Sequence, residues 1–205
     1  MKRSLLFGII ILLFAIAGLW FFLFREKKTT NDIEETASTY VSKHSEAFNE
    51  SLNKMLDAYY KMSEGFVNWD TTTTATYSAE LKTRLDDLPL DELKNDSLVY
   101  TKAVADIGNV KAELESIIQD PSLAEKRSSL NIMSKIMFEF LNNVRYDAAK
   151  IYFQECPMAF DDIHAGNWLS PSEDVRNPYL GTKHPKYKSG MLECGGPIDT
   201  LNFMR

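Results

Sequence analysis

The feature that most constrains this chain is an apolar run near its N-terminus. Residues 5–24 contain no charged side chain. At about 1.5 Å of rise per residue, a helix of that length spans about 30 Å, the thickness of a bilayer's hydrocarbon layer. Trp20 lies near the C-terminal end of the run, where aromatic rings favour the membrane interface. The sequence therefore predicts that residues 1–28 form a signal anchor with one transmembrane helix.

A cleaved secretory signal is the alternative interpretation of this run. Residues 15–17 have the small-x-small form that signal cleavage requires. Cleavage there would leave residues 18–24, which are apolar, as the new N-terminus, so we favour the uncleaved anchor. Either interpretation directs the chain to a membrane. Lys and Arg residues are nearly balanced on the two sides of the run, so they do not set the orientation of the helix.

The charge of the remaining chain limits the partners that it could bind. The chain has 23 Lys and Arg against 29 Asp and Glu, and residues 1–28 hold five of the basic residues but one acidic residue. The remainder therefore has 18 basic and 28 acidic side chains, a formal charge of −10. A domain this acidic is poorly suited to nucleic acid or to anionic lipid. We expect no nucleic-acid partner.

Four amphipathic helices are predicted between the anchor and residue 147. The first starts at Asn31, in a capping box, and the second follows a run of four threonines and stops at Pro89. Asp96 caps the third, and Ser122 opens the fourth. Four such helices joined by short turns predict a mostly α fold, with an antiparallel helical bundle over residues 29–147.

Several side chains with metal-binding chemistry lie on the apolar stripes of these helices. We interpret His44 as a partly buried core histidine and not as a ligand. We also interpret the methionines of the stripes as core side chains, because the flexible thioether fills irregular gaps. These methionines are Met55, Met62, Met133 and Met137.

The helical periodicity ends near residue 147. Residues 151–153 are a short strand-like run, and no sustained periodicity follows as far as Arg205. Aromatic residues, among them Trp168 and Tyr179, argue against disorder and suggest that this part packs onto the helices. We therefore expect residues 148–205 to be an irregular segment of the same domain, fastened by a specific interaction.

The sulfur-containing residues of this segment are the candidates for that interaction. Cys156 and Met158 are two residues apart, and Met191 and Cys194 are three residues apart. The two cysteines are the only ones in the chain. Thiolate and thioether are soft ligands, and a set made only of Cys and Met sulfur suits Cu(I). These four residues are the candidate metal ligands.

Two alternatives remain open on the residues alone. Two cysteines in an exported domain commonly form a disulfide, and Cys156 and Cys194 could be such a structural pair. A zinc site would add His164 and His184 to the two cysteines, although their spacing matches no known zinc module. The alternative function is therefore a non-metal helical adaptor or interaction module with a Cys156–Cys194 structural disulfide.

Sequence motifs of the common enzyme classes are absent. The chain has no Gly-rich phosphate loop, no nucleophile elbow, no H-E-x-x-H helix and no Cys-x-x-Cys-His haem site. Its paired aspartates are adjacent in the sequence, and adjacent side chains on a helix point in different directions. We therefore interpret them as solvated surface residues and not as a joint acid–base pair. We expect a protein that is not an enzyme.

Four motifs of the C-terminal segment resemble a known family. They are Cys156-Pro157-Met158-Ala159, Trp168-Leu169-Ser170, Asn177-Pro178-Tyr179-Leu180-Gly181 and Met191-Leu192-Glu193-Cys194-Gly195. Through them the chain resembles the bacterial periplasmic domain-of-unknown-function 3347 family, over most of residues 40–203. Members of that family occur beside, or fused to, the membrane-fusion subunits of heavy-metal efflux pumps.

The resemblance implies metal handling, with the two cysteines and with Met158 and Met191 as the matched positions. It implies a heavy-metal efflux pump subunit or another membrane-fusion protein as the partner, while the ligand chemistry favours Cu(I) as the ion, with zinc as the alternative. It also implies a single-pass protein of the inner membrane with its C-terminal domain in the periplasm. The segment of residues 182–190 is longer than the corresponding part of the family pattern, and it contains His184. His184 and His164 are possible extra ligands.

Overall fold

The computed structural model describes residues 42–204, in which helices predominate and a small sheet follows them. These residues belong to one unit, residues 40–205. The predicted transmembrane helix and the predicted capping box at Asn31 lie outside the described residues. Between residues 42 and 204, every helix is too short or too polar to cross a bilayer.

Five helices come first in the described part of the chain. They are α1 (Glu46–Val67), α2 (Thr71–Asp86), a 3₁₀ helix (Leu90–Asn95), α3 (Ser97–Gln119) and α4 (Leu123–Val144). The predicted caps of the last two are confirmed. The Asp96 carboxylate accepts the N–H groups of Leu98 and Val99, and the Ser122 hydroxyl accepts that of Glu125. Each cap satisfies donors that the first turn leaves free.

The first described helix begins later than the predicted one. α1 starts at Glu46 with Ser45 as its N-cap, and the three residues before the cap are not helical. A continuous first helix from Asn31 is therefore wrong. The hydroxyl of Ser42 and the backbone N–H of Lys43 both donate to the Asp147 carboxylate. These bonds to a residue distant in the chain hold the backbone off the helical path.

The apolar stripes of the four α-helices meet in one core. α1 packs on α2, and α3 packs on α4. The four stripe methionines are fully buried, as predicted, at Met55, Met62, Met133 and Met137. The ring of His44 stacks on Phe48, and its Nε2 lies 2.7 Å from the carbonyl oxygen of Val144. The prediction of a packed histidine is confirmed.

The C-terminal part contains a three-stranded antiparallel sheet. Its strands are β1 (Ile151–Phe160), β2 (His164–Ser170) and β3 (Gly196–Leu201), in the order β2-β1-β3. The prediction of an irregular segment over residues 148–205 is wrong for these strands. Pro157 and Pro197 interrupt two of them, and β3 joins β1 from far along the chain, so no alternating pattern stands out in the sequence.

The sheet is attached to the helices by hydrogen bonds and by packing. The backbone N–H of Leu169 donates to the Tyr59 hydroxyl at 3.1 Å, and the N–H of Asn167 donates to the Asn131 side chain at 2.9 Å. β2 therefore lies against α4 and α1, with the Trp168 side chain buried. The sheet and the helices share one hydrophobic core.

Candidate functional site

The first half of the candidate site is on β1. Cys156 faces Gly166 of β2 in the ladder, and its side chain is fully buried at 0% exposure. Met158 is half-buried and packs against the core. The ladder is irregular between Cys156 and Phe160, so the strand is distorted at the candidate ligands. Two antiparallel neighbours hold this strand, which therefore gives Cys156 a defined position.

The second half of the site is a tight turn before β3. The backbone N–H of Cys194 donates to the carbonyl oxygen of Met191 at 3.1 Å. Asn177 holds the turn from outside: its N–H donates to the Leu192 carbonyl at 3.0 Å, and its side-chain amide donates to the Cys194 carbonyl at 3.2 Å. Asn177 is fully buried, so these bonds are shielded from water. The turn that carries Cys194 is anchored to the domain.

The structure joins the two halves by a disulfide. Cys156 and Cys194 are bonded, with their Cα atoms 5.5 Å apart and a sequence separation of 38. A disulfide carries no thiolate, so in this form neither sulfur offers an anionic ligand to a cation. Glu193 is exposed beside Cys194, while the Glu155 carboxylate accepts a hydrogen bond from Asn167 at 3.1 Å. Carboxylate oxygens are hard ligands and do not suit Cu(I).

The two histidines of the zinc hypothesis have other surroundings. His184 stacks on Tyr187, with ring centroids 5.1 Å apart, and its Nδ1 accepts the backbone N–H groups of Lys186 and Tyr187 at 3.3 Å each. Burial, and then the charge of Arg127, lower the pKa of His184 and favour the neutral ring. Because Nδ1 is an acceptor, the neutral ring carries its proton on Nε2. In this arrangement neither nitrogen has a free lone pair for a metal.

His164 opens β2 and is exposed, paired across the ladder with Phe160. Among residues 42–204, the structure assembles no group of three or more His, Cys, Asp or Glu side chains placed to hold a metal ion. The zinc site and the role of His164 as an extra ligand stay predictions.

A buried arginine that the sequence analysis missed holds the loop between the two halves. Arg127 is 6% exposed, and it donates to the carbonyl oxygens of Pro178 at 2.9 Å and Phe66 at 3.2 Å. Its guanidinium lies 4.1 Å above the ring of Trp69, whose Nε1 donates to the Leu180 carbonyl. Burial lowers the pKa of Arg127 to about 10, so the group stays charged at neutral pH. No local pattern signals this role.

Aromatic side chains of the motifs pack this loop, as predicted, and the amide of Asn177 is buried with them. Trp168, Asn177 and Tyr179 are all buried, and the Tyr179 hydroxyl donates to the Asn167 carbonyl. Burial raises the pKa of Tyr179 well above its usual value, which keeps the phenol neutral and able to donate. The side chain of Asn177 also accepts the N–H groups of Tyr179 and Leu180. Trp168, Asn177 and Tyr179 therefore shape the loop between the two halves of the site.

The segment over residues 182–190 is fixed to the β1–β2 turn. Lys186 forms an ion pair with Asp162, and the Tyr187 hydroxyl donates to the same carboxylate at 2.6 Å. Backbone bonds join His184 and Lys188 in both directions. In these contacts, polar groups of the segment bind other parts of the protein and hold the segment in place.

Comparison with known proteins identifies no relative of this chain. No family model matches it, and neither a curated protein nor a solved structure matches it. The resemblance to the periplasmic family therefore rests on the four sequence motifs and stays a prediction.

Proposed function

We propose that this protein binds Cu(I) outside the cytoplasm and passes it to a heavy-metal efflux pump subunit or another membrane-fusion protein. The ligands are the sulfur atoms of Cys156, Cys194, Met158 and Met191. The N-terminal helix anchors the protein in the inner membrane, and the four helices form an antiparallel bundle in the periplasm. The observation that supports this proposal is that the fold brings together the only two cysteines of the chain, each within three residues of a methionine.

The reduced protein is the form that binds the ion. Two electrons and two protons, supplied by an external dithiol, convert the disulfide into two thiols. Cu(I) then binds the thiolates and releases the protons, because a thiol must deprotonate to act as a ligand. The oxidised form described here binds no ion. The redox state of Cys156 and Cys194 therefore controls the metal site.

The contacts around the site suit the transfer of an ion. Asn177 holds the turn from within the loop, and Arg127 of α4 holds the loop from the helical side, so we expect the two cysteines to stay close when the bond is open. Met158 and Met191 are half-buried, and their neutral thioethers are weaker ligands than thiolates. A partner protein can therefore displace the two thioethers first and begin ligand exchange there.

The test is an anaerobic Cu(I) titration of the full-length chain in detergent, against a competing chelator. We expect one ion per reduced chain and none per oxidised chain. Cys156→Ser or Cys194→Ser abolishes binding, and Met158→Leu weakens it. Met204→Leu is the matched control, because Met204 is 40% exposed and lies outside the site. Wild-type affinity in both serine variants would show that the proposal is wrong.

The disulfide itself favours a second candidate function. In this candidate the protein is a helical adaptor without a metal, and the bond is a permanent staple between β1 and the turn before β3. A count of free thiols in protein isolated from its native compartment separates the two candidates. Two free thiols together with stoichiometric Cu(I) binding support the metal site. No free thiols, and no Cu(I) binding after reduction, support the staple.

A further inference from the structure

We infer that an external dithiol opens the disulfide by attacking the Sγ atom of Cys194, and that Cys156 is the sulfur that leaves. The inference rests on the proposed function, because opening this bond creates the metal-binding form. It identifies the class of partner that regulates the site, a dithiol reductant, and the atom that this partner reaches. Three observations carry it: the burial of Cys156, the two closely packed glycines beside it and the position of Cys194 at the surface.

Cys156 lies between two closely packed glycines, Gly195 and Gly166. On one side, a Cβ atom placed on Gly195 would lie 2.0 Å from the Glu155 carbonyl oxygen and 2.9 Å from the Cα of Cys156. On the other side, Cys156 faces Gly166 in the ladder, and a Cβ on that glycine would lie 2.8 Å from the ring of Tyr179. Gly195 meets the backbone of β1, and Gly166 meets the Ala159 Cβ and the Tyr179 ring, so closely that only glycine fits at either position. Cys156 itself is 0% exposed, so a thiolate in solvent does not reach it in the folded chain.

Cys194 has more open surroundings. Its side chain is half-buried, and its neighbours Glu193 and Gly195 are exposed. Gly195 and Gly196 follow it without side chains that could block the approach of a partner. The turn belongs to no strand, so reaching its sulfur requires no separation of the ladder. Of the two sulfurs, Cys194 is the one that a reductant at the surface contacts.

The exchange is balanced in electrons and protons. A thiolate of the dithiol forms a new bond to Cys194 Sγ, and the electron pair of the broken bond goes to Cys156 Sγ, which takes up a proton. The second thiolate of the reductant then attacks the first sulfur of the reductant, the one bonded to Cys194 in the mixed disulfide. This step releases Cys194 as a thiolate. The partner ends as a disulfide, and this protein gains two electrons.

The position of attack can be read by mass spectrometry. The probe is glutathione, a monothiol that stops the exchange at the mixed disulfide. The oxidised full-length chain in detergent is mixed with glutathione without oxygen, and the exchange is stopped early with excess N-ethylmaleimide in denaturant, which exposes Cys156 to the reagent. The product is then mapped by peptide. We expect the glutathione adduct on Cys194 and the maleimide on Cys156. An adduct mainly on Cys156, or equally on both, would overturn the inference.

Two single-cysteine variants give an independent measurement. In Cys156→Ser the remaining thiol is Cys194, and in Cys194→Ser it is Cys156. With dithiobis-nitrobenzoate we expect the Cys194 thiol to react faster than the Cys156 thiol by about tenfold or more, because reaction requires exposure of the thiolate. A smaller ratio overturns the inference. Unfolding of either variant does not affect the experiment on the wild-type chain.

Failure of this inference and failure of the proposed function give different results. The Cu(I) titration uses fully reduced protein, so it does not depend on which sulfur was attacked. Glutathione on Cys194 without Cu(I) binding overturns the proposed function and supports the inference. Cu(I) binding with glutathione on Cys156 does the opposite.

Discussion

Gly195 shows how closely a single residue controls the candidate site. Its φ is +106°, a backbone conformation that residues with a Cβ rarely adopt, and its backbone lies directly on the Glu155 carbonyl. A helical glycine, Gly108, has a helical backbone and nothing within 4 Å of a Cβ placed on it. The two glycines therefore form a matched pair for substitution.

Gly195→Ala should destabilise the fold by about 2 kcal/mol or more, because alanine strains the backbone and its Cβ collides with β1. It should also slow formation of the disulfide. Gly108→Ala should stabilise the fold by about 0.5–1 kcal/mol, since alanine is the better helix residue. Chemical denaturation of the full-length variants measures both changes. Equal effects of the two substitutions would contradict the geometry described at Gly195.

At the same scale, the candidate ligands could be predicted from the sequence and their supports could not. Cys156 and Cys194 stand out because they are the only thiols and each lies near a methionine. Arg127 resembles any arginine near the start of a helix. Its partners are 51 and 61 residues away, and only the packed structure brings them to it.

Tyr59 joins three elements at one hydroxyl. This residue of α1 lies 2.7 Å from the Ser134 hydroxyl of α4 and accepts the N–H of Leu169 in β2. Burial, as the largest cause, raises the pKa of Tyr59 to about 12. The folded protein therefore favours the neutral phenol. This contribution to stability is full below the unfolded pKa, about 10, and is lost as the pH rises toward the folded value.

Tyr59→Phe should lower the free energy of unfolding by about 1–2 kcal/mol near pH 8, because the N–H of Leu169 loses its partner. It should also reduce the loss of stability between about pH 9 and pH 11, since one raised pKa is removed. Other buried tyrosines, including Tyr179, keep part of that loss. Tyr152→Phe, at a half-buried position, is the control. An unchanged pH dependence in Tyr59→Phe would contradict the role of this phenol.

The elements differ in how well the sequence predicts them. Helices α3 and α4 begin where Asp96 and Ser122 predict, because a cap bonds to residues two or three positions away. The start of α1 was predicted too early, since Asp147 draws the preceding residues away from the helical path. The strands depend on pairing with distant residues, so a local pattern does not show them.

The disulfide acts at the scale of the whole molecule. It joins β1 to the turn before β3 and closes a loop with a sequence separation of 38. In the chain-entropy account, a loop of this size stabilises the fold by about 3–4 kcal/mol. The hydrogen bonds that pair β3 with β1 do not involve the disulfide, so we expect the reduced chain to stay folded.

Reduction without metal should therefore lower the melting temperature of the full-length chain in detergent, measured by circular dichroism. Addition of Cu(I) to the reduced protein should raise it again, because a ligand that binds only the folded state stabilises it. A double variant, Cys156→Ala with Cys194→Ala, should respond to neither treatment. A melting temperature that does not fall on reduction would show that the bond contributes little to the fold.

The sequence by itself determined the features that depend on near neighbours: the apolar stripes, the caps at Asp96 and Ser122, and the pair of thiols with adjacent thioethers. Only the tertiary structure decided that Cys156 and Cys194 are bonded, that β3 pairs with β1, and that Arg127 holds the loop between them. The physical reason is the range of the interactions. Periodicity and capping involve residues within a turn or two, whereas these contacts form only when packing brings distant parts of the chain together.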